Sequence, residues 1–201
     1  MINRGKPMKR FAVIAAVAAF GAFATPAAAA PVSGGRIEAL VGWDRLTLSL
    51  EDEGFNEDLG GDGIVAGLGV GYDFPVGATT SFGVDLEASM TPSGQEFEEG
   101  GLTADIDFDR DLYAGARVTT ALSDSMNLFF RAGYTNQRIT ITVADQFDIF
   151  SESGSIEGIR GGGGLQFALG TSAYVGAEYR YSNYEADVSR HQAVGSVGFR
   201  F

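Results

Sequence analysis

Residues Gly195-Ser-Val-Gly-Phe-Arg-Phe201 alternate apolar side chains with small or polar ones up to the final aromatic. At a period of two, Val197, Phe199 and Phe201 share one face of a strand, and Ser196 and Arg200 point the other way. The last strand of a soluble β-sandwich would carry the same pattern. The remainder of the chain has to decide between a water-facing sheet and a lipid-facing one.

At the other end, Lys9 and Arg10 precede an apolar run from Phe11 to Phe23, followed by Pro26 and a series of alanines. A charged region, a short apolar core and small residues form a Sec-type export signal. The run is 13 residues, short of the ~20 that a membrane-spanning helix needs. Proline is disfavoured directly after a scissile bond, so cleavage is expected between Ala29 and Ala30, giving a signal peptide of 1–29 and a single domain of 30–201. Met8 is an alternative start.

The leader carries Arg4, Lys6, Lys9 and Arg10. Its removal leaves 10 of the 14 basic residues, all arginine, against 26 acids, so the net charge moves from −12 to −16. That balance excludes a basic footprint for DNA or RNA and unassisted adhesion to anionic lipid heads. Cysteine is absent, so no disulfide holds the domain. No later segment has the ~18 uninterrupted apolar residues of a spanning helix, and a chain inserted in a membrane would have to cross it as a barrel.

Period-2 alternation recurs in eight segments: Arg36 to Leu48, Gly63 to Phe74, Ser81 to Met90, Thr103 to Thr120, Met126 to Thr142, Ile156 to Leu169, Ala173 to Tyr184 and Ser189 to Phe201. Short turns at Pro75 to Thr80, Leu122 to Ser125 and Gly170 to Ser172 alternate with long acidic segments at Leu50 to Asp62, Thr91 to Leu102 and Val143 to Ser155. Short turns at one end and long loops at the other are the asymmetry of an outer-membrane barrel, whose turns face the periplasm. The expected fold is an all-β, eight-stranded antiparallel up-and-down transmembrane β-barrel.

The two faces follow from the same count. Ile64, Leu68, Val70, Tyr72 and Phe74 oppose Gly67, Gly69, Gly71 and Asp73, while Phe82, Val84, Leu86 and Met90 oppose Gly83, Asp85 and Glu87. Apolar rows face lipid, and rows of glycine and charge face inward. Centring the short turns on Ala78, Asp124 and Thr171 sets the register. It places Asp85 opposite Gly71, Glu87 opposite Gly69, Arg117 opposite Arg131, Glu178 opposite Gly164 and Arg180 opposite Gly162. The glycine run Gly161 to Gly164 makes room inside for long charged side chains, and outside its members are expected to lie under Tyr179 and Tyr181. The expected lumen holds Asp85, Glu87, Arg117, Arg131, Arg160, Glu178 and Arg180, with Glu38 and Arg200 paired near the periplasmic end. Buried charges persist only when paired. An eight-stranded barrel is just wide enough for side chains to fill, which makes this network a plug. Gly161 to Gly164 is not a phosphate loop, since no Lys-Ser/Thr follows it.

These residues resemble the small outer-membrane β-barrel family that includes opacity-type proteins and OmpA-like transmembrane domains, often called porin family proteins. Gly158-Ile-Arg-Gly-Gly-Gly-Gly-Leu-Gln-Phe-Ala-Leu with Tyr174-Val-Gly-Ala-Glu-Tyr-Arg-Tyr181 is similar to that family's penultimate hairpin. Arg190-His-Gln to Phe201 is similar to its final strand. The resemblance implies an integral outer-membrane protein of a Gram-negative envelope, with a structural or surface-interaction role and no cofactor. Phe201, with Phe199, resembles the terminal signal read by the barrel assembly machinery. Periplasmic chaperones, outer-membrane lipid and lipopolysaccharide are the implied partners, with a surface ligand reached through the acidic loops.

Three chemical readings stand beside that one. Ser189 and His191 share a strand face near Glu185 and Asp187, the elements of a lipid A hydrolase. The deacylases that this arrangement resembles carry histidine before serine, the reverse of the order here, and no oxyanion loop is evident, so no catalytic residue is assigned. Asp105, Asp107, Asp109 and Asp111 recur every second residue, ~6.8 Å apart. That is too far to share one ion, although Asp105, Asp107 and Asp109 could each join a neighbouring loop to bind Ca²⁺ weakly. An acidic mouth also suits a small cation-favouring pore.

Deletion of Phe201, or Phe201→Asp, is expected to leave export intact while unfolded chain accumulates in the periplasm. Fractionation followed by electrophoresis of unboiled samples reads this, and normal amounts of folded barrel in the outer membrane would remove the terminal signal.

Overall fold

Alternation on this scale leaves each segment with one apolar and one polar face, and the chain satisfies both by rolling one sheet into a tube. The computed structural model describes the backbone of residues 30–52, 55–91, 95–99, 102–144, 149–185 and 188–201, and the side chains of these apart from 48–60, 95–99, 102–109, 141–144 and 149–151. In chain order the strands are β1 (Gly34–Asp52), β2 (Phe55–Pro75), β3 (Thr80–Met90), β4 (Gln95–Glu99), β5 (Leu102–Ser123), β6 (Met126–Ala144), β7 (Ile149–Ala168), β8 (Ala173–Tyr184) and β9 (Val188–Arg200). Every neighbouring pair is antiparallel, β1 pairs with β9, and β3 pairs with β5. β4 continues the edge of β5 beyond the end of β3, so the two short strands share one position in a closed eight-stranded barrel.

The register agrees with the turn-centred count at each tested position: Asp85↔Gly71, Glu87↔Gly69, Arg117↔Arg131, Glu178↔Gly164 and Arg180↔Gly162. Each short turn is closed by backbone bonds. Leu169 N donates to Ala173 O at 2.8 Å, and Gly170 takes a φ of 103° that a side chain would strain.

The long acidic segments depart from expectation. Leu50 to Asp62 is not a loop: the β1–β2 ladder runs through it to Asp52↔Phe55. Likewise β6 and β7 pair across much of Val143 to Ser155, as far as Ala144↔Ile149, and β4 forms inside Thr91 to Leu102. Beyond the lipid both faces of a strand meet water. Apolar alternation therefore fades there, while the backbone ladder that sets the strand continues. A register shift between Phe108 and Arg110 breaks the two-residue count, so the row from Asp105 to Asp111 is not continuous in the ladder. The side chains of Asp105, Asp107 and Asp109 lie outside the described residues.

Outside, Ile64, Leu68, Leu86, Phe130, Ile159 and Phe199 are exposed as a lipid-facing belt. Inside, Leu40, Val65 and Val194 form a small apolar cluster, and the remaining space holds charge.

The glycine run works by a different geometry from the one expected outside. A Cβ on Gly163 would lie 2.9 Å from the Phe130 ring of β6, and one on Gly161 would meet nothing within 4 Å. Aromatic cover therefore comes from β6 at Gly163, with none at Gly161. Tyr181 stands opposite Gly161 in register but does not come within 4 Å of that position, so the expected cover fails there, and at Gly163, opposite Tyr179, Phe130 supplies the nearest ring atoms. Inside, a Cβ on Gly162 would stand 2.6 Å from Glu178 Oε1. Gly162→Val is thus expected to lower stability by about 1–3 kcal/mol through displacement of Glu178. Gly161→Ala should stay within about 0.5 kcal/mol. Urea titration of the folded barrel measures both.

Candidate functional site

Inward positions of eight strands converge on the barrel axis and bring seven arginines to seven carboxylates among the described residues. The cations are Arg36, Arg117, Arg131, Arg160, Arg180, Arg190 and Arg200. The anions are Glu38, Asp44, Asp73, Asp85, Glu87, Asp111 and Glu178. Charge among the described lumen residues is therefore balanced.

Three tiers run along the axis. At the short-turn end, Arg36 pairs with Asp73 and Asp85, and Tyr174 Oη donates to Glu38 Oε1 at 2.6 Å. The expected Glu38–Arg200 pair is not made. Arg200 Nη2 instead donates to Gln166 Oε1 at 2.6 Å and its Nε stands 3.9 Å from Asp73, while Gln166 Nε2 reaches Glu38 at 3.3 Å. Glutamine carries donor and acceptor on one group, so Gln166 links two charges that a direct pair would have joined.

In the middle tier, Glu87 is the hub. It holds Arg131 at 2.9 Å, Arg180 at 2.8 Å and Arg160 at 3.7 Å. Glu178 takes Arg131 Nε at 2.5 Å and Arg180 at 3.0 Å. Asp85 lies 2.8 Å from Arg117 and 3.7 Å from Arg131, so a carboxylate from β3 relieves the two arginines that face each other across β5 and β6. The guanidinium faces are covered as well: Arg117 lies 4.3 Å from the centroid of Phe129, and Arg131 lies 4.9 Å from that of Tyr113.

Toward the long-hairpin end, Arg190 donates to both oxygens of Asp44, at 2.7 and 2.6 Å, and to Gln137 Oε1 at 2.6 Å. It also stands 2.9 Å from Asp111, which is paired with Arg160 and accepts from Thr135 Oγ1 at 2.6 Å.

The seven lumen residues named from sequence are thus all inside and directly linked. Those that were missed are Arg36, Asp44, Asp111 and Arg190, with Gln137, Gln166 and Tyr174, while Asp73 stands on the inward row where the count of two puts it. Each lies on an inward row that the same count of two identifies, and Asp111 was assigned to the acidic rim because the bulge before Arg110 is invisible in the alternation.

Other singled-out residues stand on the outer surface. His191 Nδ1 is 2.7 Å from Tyr179 Oη, and its ring centroid is 4.9 Å from that of Tyr181. Asp187 lies outside the described residues. Phe199 and Phe201 are exposed, and Phe201 exchanges backbone bonds of 2.8 and 2.9 Å with Gly35. Among the described residues no cluster of His, Cys, Asp and Glu could hold a metal ion.

A lipid-facing belt around a charged, filled lumen defines a small integral membrane barrel. A family model described as an outer membrane protein beta-barrel domain matches residues 14–201, and the chain belongs to that family. It is accordingly an integral protein of the outer membrane. Among solved structures, neisserial surface protein A is similar at a TM-score of 0.60 and 14% identity, covering 84% of this chain and 98% of that one. Ail, the attachment invasion locus protein of Yersinia pestis, in complex with the heparin analogue sucrose octasulfate, is similar at a TM-score of 0.54 and 20% identity, covering 84% and 99%. These likenesses concern the fold alone. Among curated proteins none matches.

Because Glu87 touches three guanidinium groups, its loss leaves more uncompensated charge than loss of Glu178, which touches two. Glu178→Ala is expected to destabilise the barrel by about 3 kcal/mol and Glu87→Ala by about 5 kcal/mol. Chemical unfolding followed by tryptophan fluorescence of Trp43 gives both values, and equal effects would deny Glu87 its central place.

Proposed function

We propose that this protein is a closed, non-catalytic outer-membrane platform that presents acidic hairpins outside the cell for structural or surface-interaction duties. In this reading residues 1–29 are the cleaved export signal, the short turns face the periplasm and Phe201 serves in assembly. The observation that carries it is the occupied lumen, where seven arginines and seven carboxylates block the axis. An ion in transit would have to displace pairs whose partners have nowhere else to be solvated. His191 spends its Nδ1 on Tyr179 at 2.7 Å and faces outward, which supports an interfacial rather than a hydrolytic role.

In the sequence, 18 of the 19 acids that are not among the seven lumen carboxylates fall in or beside the segments that join the strands at the long-hairpin end, against the three arginines Arg45, Arg110 and Arg138. A surface partner of this platform would accordingly present a basic face. Planar-bilayer recordings of the purified barrel test the reading, with an expected outcome of no steady conductance above background in 1 M KCl. Stable cation-selective steps would replace the platform by a pore.

A further inference from the structure

The β1–β2 ladder ends on Gly34↔Asp73, and the same count would set Val32 opposite Pro75, which is paired with Ser81 on its other side and has no amide hydrogen to offer. The wall therefore stops there, and the chain ahead of β1 has to go elsewhere. Gly34 takes a φ of 96°, and a Cβ on it would run into the Phe201 carbonyl, so both the backbone turn and the close approach require glycine. Next to it, Gly35 exchanges backbone bonds of 2.8 and 2.9 Å with Phe201, which pins the root of the turn.

From that turn the chain passes under the lumen. Ser81 Oγ on β3 donates to Val32 O, although β2 stands between β1 and β3 in the sheet. The Ser81 side chain is on an inward row, so Val32 meets it from inside the mouth. Pro31 and Val32 are half-buried, and Ser33 is exposed. Side chains at the rim are correspondingly dry. Ser81 stands second in β3, at the lip of the tube, yet is 0% exposed, and Thr119, its direct partner on β5, is 1% exposed. At the lip of an open tube both hydroxyls would meet water. Just inside them lies the first ion pair of the lumen, Arg36 with Asp73.

This cover is lightly attached. Among the described residues Ser81 supplies the one hydrogen bond that reaches residues 30–33, whereas Arg190 alone makes five within the lumen. A segment with so few contacts opens at a small fraction of the free energy that unfolds the whole domain.

We infer that residues 30–33 are a lid over the short-turn mouth of the lumen, hinged at Gly34 and latched by Ser81, which opens without unfolding the barrel and sets whether water-soluble molecules reach the Arg36–Asp73 pair. The ion pairs block the axis and the lid shields the lowest of them, so the two barriers act in series. The lid goes beyond the platform proposed above and does not depend on its orientation, since a barrel in detergent meets solvent at both ends.

The chain has no cysteine, so one introduced thiol reports access. Thr119→Cys replaces a buried hydroxyl that has no partner among the described residues, Ser125→Cys stands exposed in the β5–β6 turn, and Ser89→Cys lies deeper in the lumen. Each barrel, purified from outer membranes in mild detergent, is reacted with a charged methanethiosulfonate and followed by mass spectrometry. Thr119→Cys is expected to react about a hundred-fold more slowly than Ser125→Cys. Adding Ser81→Ala, which removes the latch, should speed it about ten-fold. Deletion of residues 30–33 should bring it near the rate of Ser125→Cys, with Ser89→Cys slow throughout. Where the deletion yields no folded barrel by unboiled electrophoresis, Gly34→Ala, which displaces the lid at its hinge, takes its place. Reaction of Thr119→Cys as fast as Ser125→Cys in the otherwise unaltered chain would overturn the lid. The same slow rate with and without residues 30–33 would overturn it too, as would acceleration of Ser89→Cys alongside Thr119→Cys, the sign of a barrel loosened as a whole.

Discussion

Seven guanidinium groups and seven carboxylates share the inside of a tube with no room for bulk water, and neither set is tolerable there without the other. Glu87 and Asp85 are the points where the constraint is tightest, since each serves three arginines at once, Glu87 from β6, β7 and β8 and Asp85 from β1, β5 and β6. The glycines on inward rows exist for these side chains. Gly71 lies against the Arg36 guanidinium and Gly162 against Glu178, so the smallest residues of the wall mark where the largest side chains pass. The closure of the barrel and the balance of its lumen are therefore one problem: a strand shifted by one residue would turn its charges to the lipid and its apolar row to the lumen.

The outer surface obeys the complementary rule. Backbone groups are satisfied within the closed ladder, which frees the outward side chains to be apolar across the hydrocarbon. Where the apolar row ends, arginine follows Leu112 on β5, and on β6 Asn136 and then Arg138 follow Tyr134. The same strand segment then turns Asp111 to the inner ion pairs and Arg110 to the outer surface, and adjacent residues of opposite sign serve opposite faces.

Most of the barrel was legible from a count of two. The cross-strand partners of Asp85, Glu87, Arg117, Glu178 and Arg180 follow from three turn centres because antiparallel hairpins fix register locally. What escaped has physical causes. The ladders beyond the membrane carry no apolar alternation, so Leu50 to Asp62 read as a loop although β1 and β2 pair through it. The bulge next to Arg110 shifts the count and hid Asp111 from the lumen. Gln166 stands between Glu38 and Arg200 because three side chains from β1, β7 and β9 meet across the axis, and contacts across a tube depend on its curvature, which no single strand encodes.

The confinement of arginine to the wall and lumen also shapes how the surface meets digestive enzymes. From residue 30 onward the chain has no lysine, and its ten arginines are seven in the lumen plus Arg45, Arg110 and Arg138 on paired strands. The segments joining the strands at the acidic end thus contain no residue after which a trypsin-like protease cuts. A molecule that keeps most of its cations for internal pairing, and the rest on hydrogen-bonded strands, leaves the joining segments of that end without a cleavage point for that whole enzyme class.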